Sequence, residues 1–301
     1  MVPGFSTHFE YFEYFQFVIR RFAMLELPES SVISELLNET LQGKVIKSVE
    51  VLKSPHKFAW FYGDPQEYPE KLIGKSFGHA KNLAGLIEIK VDDMRLVFGD
   101  GVNLRYIENG FVEKNSDKHQ LSIEFEDGSA LNASVQMYGG LWCFEAGTFE
   151  NPYYLTAQSK PSPLTDAFDK TYFTQLIQDP KHQKLSMKAL LATEQRIPGL
   201  GNGVLQDILY NAGLHPKRKL NTLSEQEKEN LFDSIKNTLA DMKSDGGRDT
   251  EKDLFGRSGG YQTRMSKLSA GRICHKCQGI IHKENYMGGS IYYCDGCQKL
   301  S

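Results

Sequence analysis

Four cysteines near the C-terminus constrain this chain more than any other feature. Cys274 and Cys277, then Cys294 and Cys297, form two pairs with two residues inside each pair and sixteen between the pairs. Two tight knuckles at this spacing close a tetrahedron of thiolates around one Zn²⁺ and leave no position open for water, so the expected metal is structural. Between the pairs, Ile280, Ile281, Tyr292 and Tyr293 flank Met287-Gly288-Gly289, the pattern of a β-hairpin with a tip able to enter a nucleic-acid groove. Such a ribbon is too small to fold unaided. Cys143 is the one other cysteine in 301 residues. Clustered pairs in a long chain fit metal binding in a reducing compartment better than a disulfide framework.

The remaining composition is that of an ordinary globular protein, 40% hydrophobic and 24% charged, with no apolar run long enough for a membrane helix. The formal net charge of −3 hides an asymmetry. Residues 181–301 hold 19 Lys and Arg against 13 Asp and Glu, a net of +6, whereas residues 1–180 hold 16 against 25, a net of −9. A basic C-terminal part is compatible with a polyanionic partner and equally with a solvated surface.

The chain opens on an aromatic segment, Phe5 to Phe22, with Glu10 and Glu13 inside it and Arg20-Arg21 at its end. A secretory signal has its charge first and an unbroken apolar stretch after it, so residues 1–23 do not read as one. Met24 is the expected start of translation, with 1–23 a gene-start error or an accessory extension. From Ser30 the residues Ile33, Leu36, Leu37 and Leu41 recur at helical spacing up to Gly43. Strand-like runs follow at 45–52, 86–90, 94–98, 120–126 and 129–135, the last two joined by the hairpin turn Asp127-Gly128. One helix and a meander of strands predict a β-sandwich or barrel-like N-terminal domain with a flanking helix. Pro152, Pro161 and Pro163 mark 150–163 as a linker. Helical periods return at 184–195 and 203–212, and Ser224 with Glu227 forms a capping box for a helix reaching about Met242. Residues 245–272 read as irregular.

Between the first two of these helices lies Ile197-Pro198-Gly199-Leu200-Gly201-Asn202-Gly203. Its glycines allow close backbone approach, and the following helix directs N–H groups and the positive end of its dipole outward, as a phosphate site requires. A dinucleotide fold is excluded, because a helix and not a strand precedes the glycines.

Three blocks in this order, Met24-Leu25-Glu26-Leu27-Pro28-Glu29 opening a helix, the Pro-Gly-Leu-Gly-Asn turn, and the finger closing on Cys297-Gln298, resemble the formamidopyrimidine-DNA glycosylase and endonuclease VIII family of base-excision repair enzymes. The resemblance spans nearly everything from residue 24 onward. It implies an α+β multidomain protein with a β-sandwich domain (24–155), a helical helix-two-turn-helix domain (156–255) and a zinc-finger hairpin (256–301), clamping double-stranded DNA that carries a base lesion or an abasic site. It implies DNA glycosylase and abasic-site lyase activity on a flipped nucleotide, a monomer away from the membrane, and a cytoplasmic location, with the nucleoid in a bacterium. In the family an N-terminal proline amine attacks C1′ of the sugar. By the resemblance Glu26 is the catalytic acid beside it, Glu29 a second carboxylate, Lys81 and Asn202 phosphate contacts beside Gly201, and the four cysteines the zinc ligands.

Departures come with it. The proline position is Leu25, whose nitrogen is an amide when Met24 precedes it. The finger arginine falls on Gly289, and residues that fill the void left by the flipped base fall on Val102, Met137 and Tyr138, of which Tyr138 alone keeps a wedge character. Three readings stand open on these residues: an active glycosylase and lyase using the residue 24 amine, Lys81 or hydrolysis at Glu26; a binder of damaged or bent DNA that does not cleave it; and a zinc module with no nucleic-acid role.

Overall fold

A computed structural model describes residues 25–109 and 118–300. The N-terminal segment 1–23 and Met24 lie outside the described residues. Helix α1 (Leu27–Leu41) begins with Pro28 in its first turn and buries Ile33, Leu37 and Leu41 on one face. The strands then build one seven-stranded sheet: β1 (Ile46–Val51), β2 (Ala59–Phe61), β3 (Phe77–Leu83), β4 (Leu86–Val91), β5 (Met94–Ile107), β6 (Leu121–Phe125) and β7 (Ala130–Glu145). The hydrogen-bonded order is β1-β6-β7-β5-β4-β3, with the short β2 lying parallel to β7; a helical turn, α2 (Tyr68–Leu72), precedes β3.

The sandwich predicted from the alternation is this single sheet folded on itself. β5 and β7 pair along their whole length, but the register slips between Asp100 and Val102, and there the sheet bends. On one side of the slip β4 continues the sheet, on the other β6 does. Ile87, Ile89, Leu96 and Phe98 from the first half share one core with Leu104, Ile123, Phe125 and Leu131 from the second. The predicted strands 94–98 and 129–135 are thus the ends of longer strands. Their continuations carry Gly99, Asp100 and Gly101, or Gln136, Gly139 and Gly140, where hydrophobic alternation fails.

The predicted linker is in part a helix. α3 (Pro152–Ser159) is capped by the Asn151 side chain, which accepts from the N–H groups of Tyr153 and Tyr154. Proline at the first helical position starts a helix instead of breaking one. α4 (Lys170–Gln178), α5 (Met187–Ala192), α6 (Val204–Asn211) and α7 (Glu225–Ser244) form a second core around Leu190, Leu205, Ile208, Leu231, Ile235 and Leu239. The Ser224–Glu227 capping box is present in both directions, an arrangement contributing about 1 kcal/mol. β8 (Ile281–Tyr286) and β9 (Gly289–Cys294) make the C-terminal hairpin. α1 packs on β3 and also on α7, so the sheet and helical parts meet along α1.

Candidate active site and nucleic-acid interface

Glu26 immediately precedes α1 and is 5% exposed. Its Oε1 accepts the Gly203 N–H at 2.8 Å and its Oε2 the Val204 N–H at 2.7 Å. The N-terminus of α6, expected to face a phosphate, therefore caps onto a carboxylate from the other domain at these two groups. The same dipole logic applies with a different anion. Burial raises the Glu26 pKa, opposed by Arg248, with Glu29 adding to the rise.

Glu29, one turn further, accepts from Arg248 through both oxygens, Nε to Oε1 at 2.9 Å and Nη2 to Oε2 at 2.8 Å. The third guanidinium nitrogen lies 3.7 Å from Glu26. Arg248 is 3% exposed and reaches this seam from the irregular segment after α7. Two glycines of the turn have no room for a side chain. A Cβ on Gly201 would sit 2.7 Å from the Glu26 carboxyl, and one on Gly203 1.8 Å from Arg248 Nη1.

Leu25 is half-buried, and its N–H donates to the Asp100 carbonyl at 2.7 Å. Asp100 occupies the register slip of β5 with φ +57°, is 3% exposed, and has its carboxyl pushed up to about 7 by burial. A cavity of about 20 Å³ beside Leu25 is lined by Glu29, Asn103 and Glu251. That is room for a water and not for a base.

Lys81 stands on β3, half-exposed, with its amine 2.9 Å from the buried Glu88 on the neighbouring strand. Glu88 is held in turn by the Tyr154 hydroxyl from α3. Tyr138 is 6% exposed, with its ring 5.5 Å from that of Trp60 on β2. Burial pushes its phenol up, and the nearby charges of Asp100 and Glu26 add to this. Half-buried Met137 and exposed Gln136 precede it at the bend, while Val102 is core.

Asn202 donates from Nδ2 to the Ser290 carbonyl at 2.9 Å, so this turn residue ties the helical domain to the hairpin. The hairpin tip leans on α5: Lys188 donates to the Tyr286 carbonyl at 2.6 Å, and burial lowers its amine to about 8. Gly289, where the resemblance places an arginine, has Lys188 Nζ 3.2 Å from the position of a Cβ. The four cysteine sulfurs lie within 4.8 Å of one another, Cys274 to Cys297 at 3.6 Å and Cys277 to Cys294 at 3.4 Å. These spacings approach the edge of a tetrahedron with metal–sulfur bonds of 2.3 Å, about 3.8 Å. They are far longer than a disulfide. The four residues therefore fit a metal ion.

Asp100, Arg248, Glu251 and Lys188 escape sequence reading. The part played by Asp100, Arg248 and Lys188 depends on partners distant in sequence, Leu25, Glu29 and Tyr286.

The sheet domain, the helical domain with its glycine turn and the four-cysteine hairpin together define the fold of the solved glycosylases that this chain resembles. The Lactococcus lactis Fpg protein, solved with abasic-site-containing DNA, superposes with a TM-score of 0.77 at 24% identity, over 91% of this chain and 99% of that one. MutM solved with carbocyclic 8-oxo-G DNA superposes with a TM-score of 0.77 at 23% identity over the same shares. Residues 160–251 match the formamidopyrimidine-DNA glycosylase H2TH domain. The formamidopyrimidine-DNA glycosylase of Carboxydothermus hydrogenoformans is 30% identical over 286 residues, covering 92% of this chain and all of that one, and the Bacillus subtilis enzyme is 25% identical over 285. The chain belongs to the formamidopyrimidine-DNA glycosylase family.

Proposed function

We propose that this protein excises damaged bases from double-stranded DNA as a DNA glycosylase with abasic-site lyase activity in base-excision repair. The observation that carries the reading is the seam itself: Glu26, from the block beside residue 25, accepts the Gly203 and Val204 N–H groups at the glycine turn of the helical domain, and Glu29 accepts the Arg248 fork from the segment after α7. Relatives with the same domains are glycosylases by name, and solved neighbours hold abasic-site and lesion DNA. Duplex DNA then runs along the face where the seam, the turn and the hairpin converge. Gly201 allows the turn to close on Glu26, and Asn202 holds the finger in register. Lys81 contacts phosphate, its amine aimed by Glu88. Tyr138 supports the bend behind Met137, with its own ring packed inside. Cys274, Cys277, Cys294 and Cys297 bind one structural Zn²⁺, since four thiolates suit zinc and leave no open coordination position. By the resemblance the protein works as a monomer in the cytoplasm. Among the described residues no helix is long and apolar enough to cross a membrane.

Two outcomes check this reading. Affinity for a duplex with a tetrahydrofuran abasic analogue exceeds that for intact duplex by at least tenfold, and both fall steeply between 50 and 200 mM salt, as phosphate contacts release counterions. Lys81→Ala weakens binding to all duplexes alike and lowers the salt slope by about one. Electrophoretic mobility titrations measure both, and equal affinity for intact and abasic duplex would sink the damage-recognition claim.

One observation favours a second reading, a damage binder without strand cleavage. The Leu25 nitrogen is an internal amide whose N–H is already donated to Asp100, so it cannot form a Schiff base. Lyase activity then needs the residue 24 amine or Lys81. Borohydride trapping on abasic DNA tests the lyase step: a covalent adduct supports it and absence of one removes it, and release of free base from lesion duplex then separates a hydrolytic glycosylase from the binder.

A further inference from the structure

The segment that follows α7 is held on the seam by its backbone before any side chain acts. Gly246 and Gly247, at φ +74° and +96°, turn the chain back after the helix, and Arg248 pairs with Tyr261 in an isolated bridge. The Arg248 N–H then donates to Glu29 Oε1 at 3.2 Å, beside the fork that its side chain sets on the same carboxyl. Glu29 thus anchors the guanidinium, and the edge left over, Nη1, lies 3.7 Å from Glu26 Oε2. The two carboxyls are engaged differently. Glu29 takes charge-assisted hydrogen bonds of 2.9 and 2.8 Å, whereas Glu26 takes backbone N–H groups and meets the cation only across a longer gap. That gap lets Glu26 gain or lose its proton without breaking a close ion pair, while a fixed positive charge stays beside it. Gly203 is required for this approach, since a Cβ there would meet Nη1 at 1.8 Å.

We propose that Arg248 is a positioning residue for Glu26 in base release, the fixed cation against which the Glu26 carboxyl gives up its proton. The inference rests on the glycosylase reading above, with Glu26 as its acid. In the step, the Glu26 proton passes to the ring oxygen of the flipped sugar as the C1′–O4′ bond breaks, and the bond's electron pair stays on that oxygen. The attacking amine or water bonds to C1′ and gives a proton to solvent. The opened sugar then expels the base as a C=N or C=O bond forms at C1′, and the base nitrogen takes up a proton. A buried carboxyl that becomes a carboxylate at this moment is helped by a charge already in place, because nothing has to reorganise. Burial makes Glu26 hold its proton more tightly than usual, and Arg248 is the main influence the other way, aided by the Gly203 and Val204 N–H groups. The other titratable groups around it are Glu29, Glu251 and the Tyr138 and Tyr153 phenols, with Asp100 beyond them. None of these is a cation, so none of them can take the part of Arg248.

The test uses the full chain as wild type, Arg248→Met, Arg248→Lys and Glu29→Gln. The substrate is a labelled duplex carrying formamidopyrimidine-guanine, and free base is read by mass spectrometry in single turnovers from about pH 5 to 9. The wild-type rate should fall on the alkaline side through one ionisation, that of Glu26. Arg248→Met should move this limb to higher pH by about one pH unit or more and lower the acid plateau by about 10²- to 10³-fold. Its binding to a tetrahydrofuran duplex should stay within about threefold of wild type. Glu29→Gln removes a negative neighbour and frees the whole guanidinium charge to act on Glu26, so its limb should move the opposite way, to lower pH. Arg248→Lys keeps a charge without the fork, so its limb should stay close to wild type on a lowered plateau. A purely structural arginine would cut the rate or the folded fraction in its variants and leave the limb in place. An unmoved limb in folded Arg248→Met, or shifts of the same sign in Arg248→Met and Glu29→Gln, would overturn the assignment. Should Arg248→Met fail to fold, Glu29→Gln still decides, because an unmoved or alkaline-shifted limb there overturns it as well. Base release with no alkaline limb would remove Glu26 and Arg248 from the step and leave the glycosylase standing. No release by any form, with abasic binding intact, would remove the glycosylase reading and this inference together.

Discussion

Cys277→Ser, or exhaustive treatment with a chelator, is expected to abolish high-affinity binding to abasic duplex, by at least a hundredfold, while the sheet domain stays folded. The hairpin has two strands of six residues and a core made of little more than Ile281, Ile291, Tyr292 and the cysteines, resting on Tyr210 and Met265. Two strands alone are marginal in water. A structural zinc site supplies on the order of 10–16 kcal/mol, far more than the handful of apolar contacts. The loss would travel inward, because the hairpin is bonded to the glycine turn. Asn202 and Gln206 both donate to the Ser290 carbonyl, and Gln206 Oε1 accepts the Tyr292 N–H at 3.0 Å. Without those partners Asn202 loses its orientation, and the duplex loses both finger and turn. Metal content per chain, far-ultraviolet circular dichroism and mobility-shift titration read the three parts of the claim. A metal-free protein that binds within threefold of the parent would show that the hairpin has no part in the interface.

The parts legible in sequence were those whose signal is local. The α1 periodicity, the Ser224–Glu227 box and the cysteine spacing each lie within a few dozen residues and have one physical reading. The proline at 152 shows how a local signal misleads, since proline both ends helices and begins them, and only Asn151 in front of it decides. The α6 N-terminus shows a deeper limit. Sequence shows that a helix end will attract an anion, but not that the anion is Glu26, 177 residues upstream. Tyr138 illustrates the same point with burial: it reads as a wedge for the void left by a flipped base, and β2 brings Trp60 against it through a parallel pairing that nothing in three residues announces. The seam is built from long-range pairs of this kind, so most of the site's charge balance was out of reach.

Arg248→Met is expected to lower stability by about 3–5 kcal/mol, the usual cost of stranding a buried charge by removing its partner. For a chain of this size that is a fall in melting temperature of roughly 10 °C. Two carboxylates depend on this one guanidinium, and its fork spans both: Nε and Nη2 on Glu29, Nη1 toward Glu26. Lysine offers a point charge without the fork, so Arg248→Lys should recover only part of the loss. Pairing Arg248→Met with Glu29→Met should recover more, because an apolar pair leaves one fewer charge unpartnered. The pH dependence runs opposite to that of an exposed salt bridge. Glu26 has its pKa raised in the folded state by burial, with Arg248 holding that rise in check. A carboxyl raised on folding keeps its proton longer in the native state than in the unfolded one. Stability therefore falls as pH climbs from the unfolded value of 4.5 through the folded value. Removing Arg248 heightens the rise, so the deficit of Arg248→Met against the parent should widen from pH 4.5 to neutral and shrink toward acid. Urea unfolding of parent and variant between pH 4.5 and 8 measures it. A deficit under 1 kcal/mol, or one constant across that range, would mean that the guanidinium is not what holds the two domains together at Glu26 and Glu29.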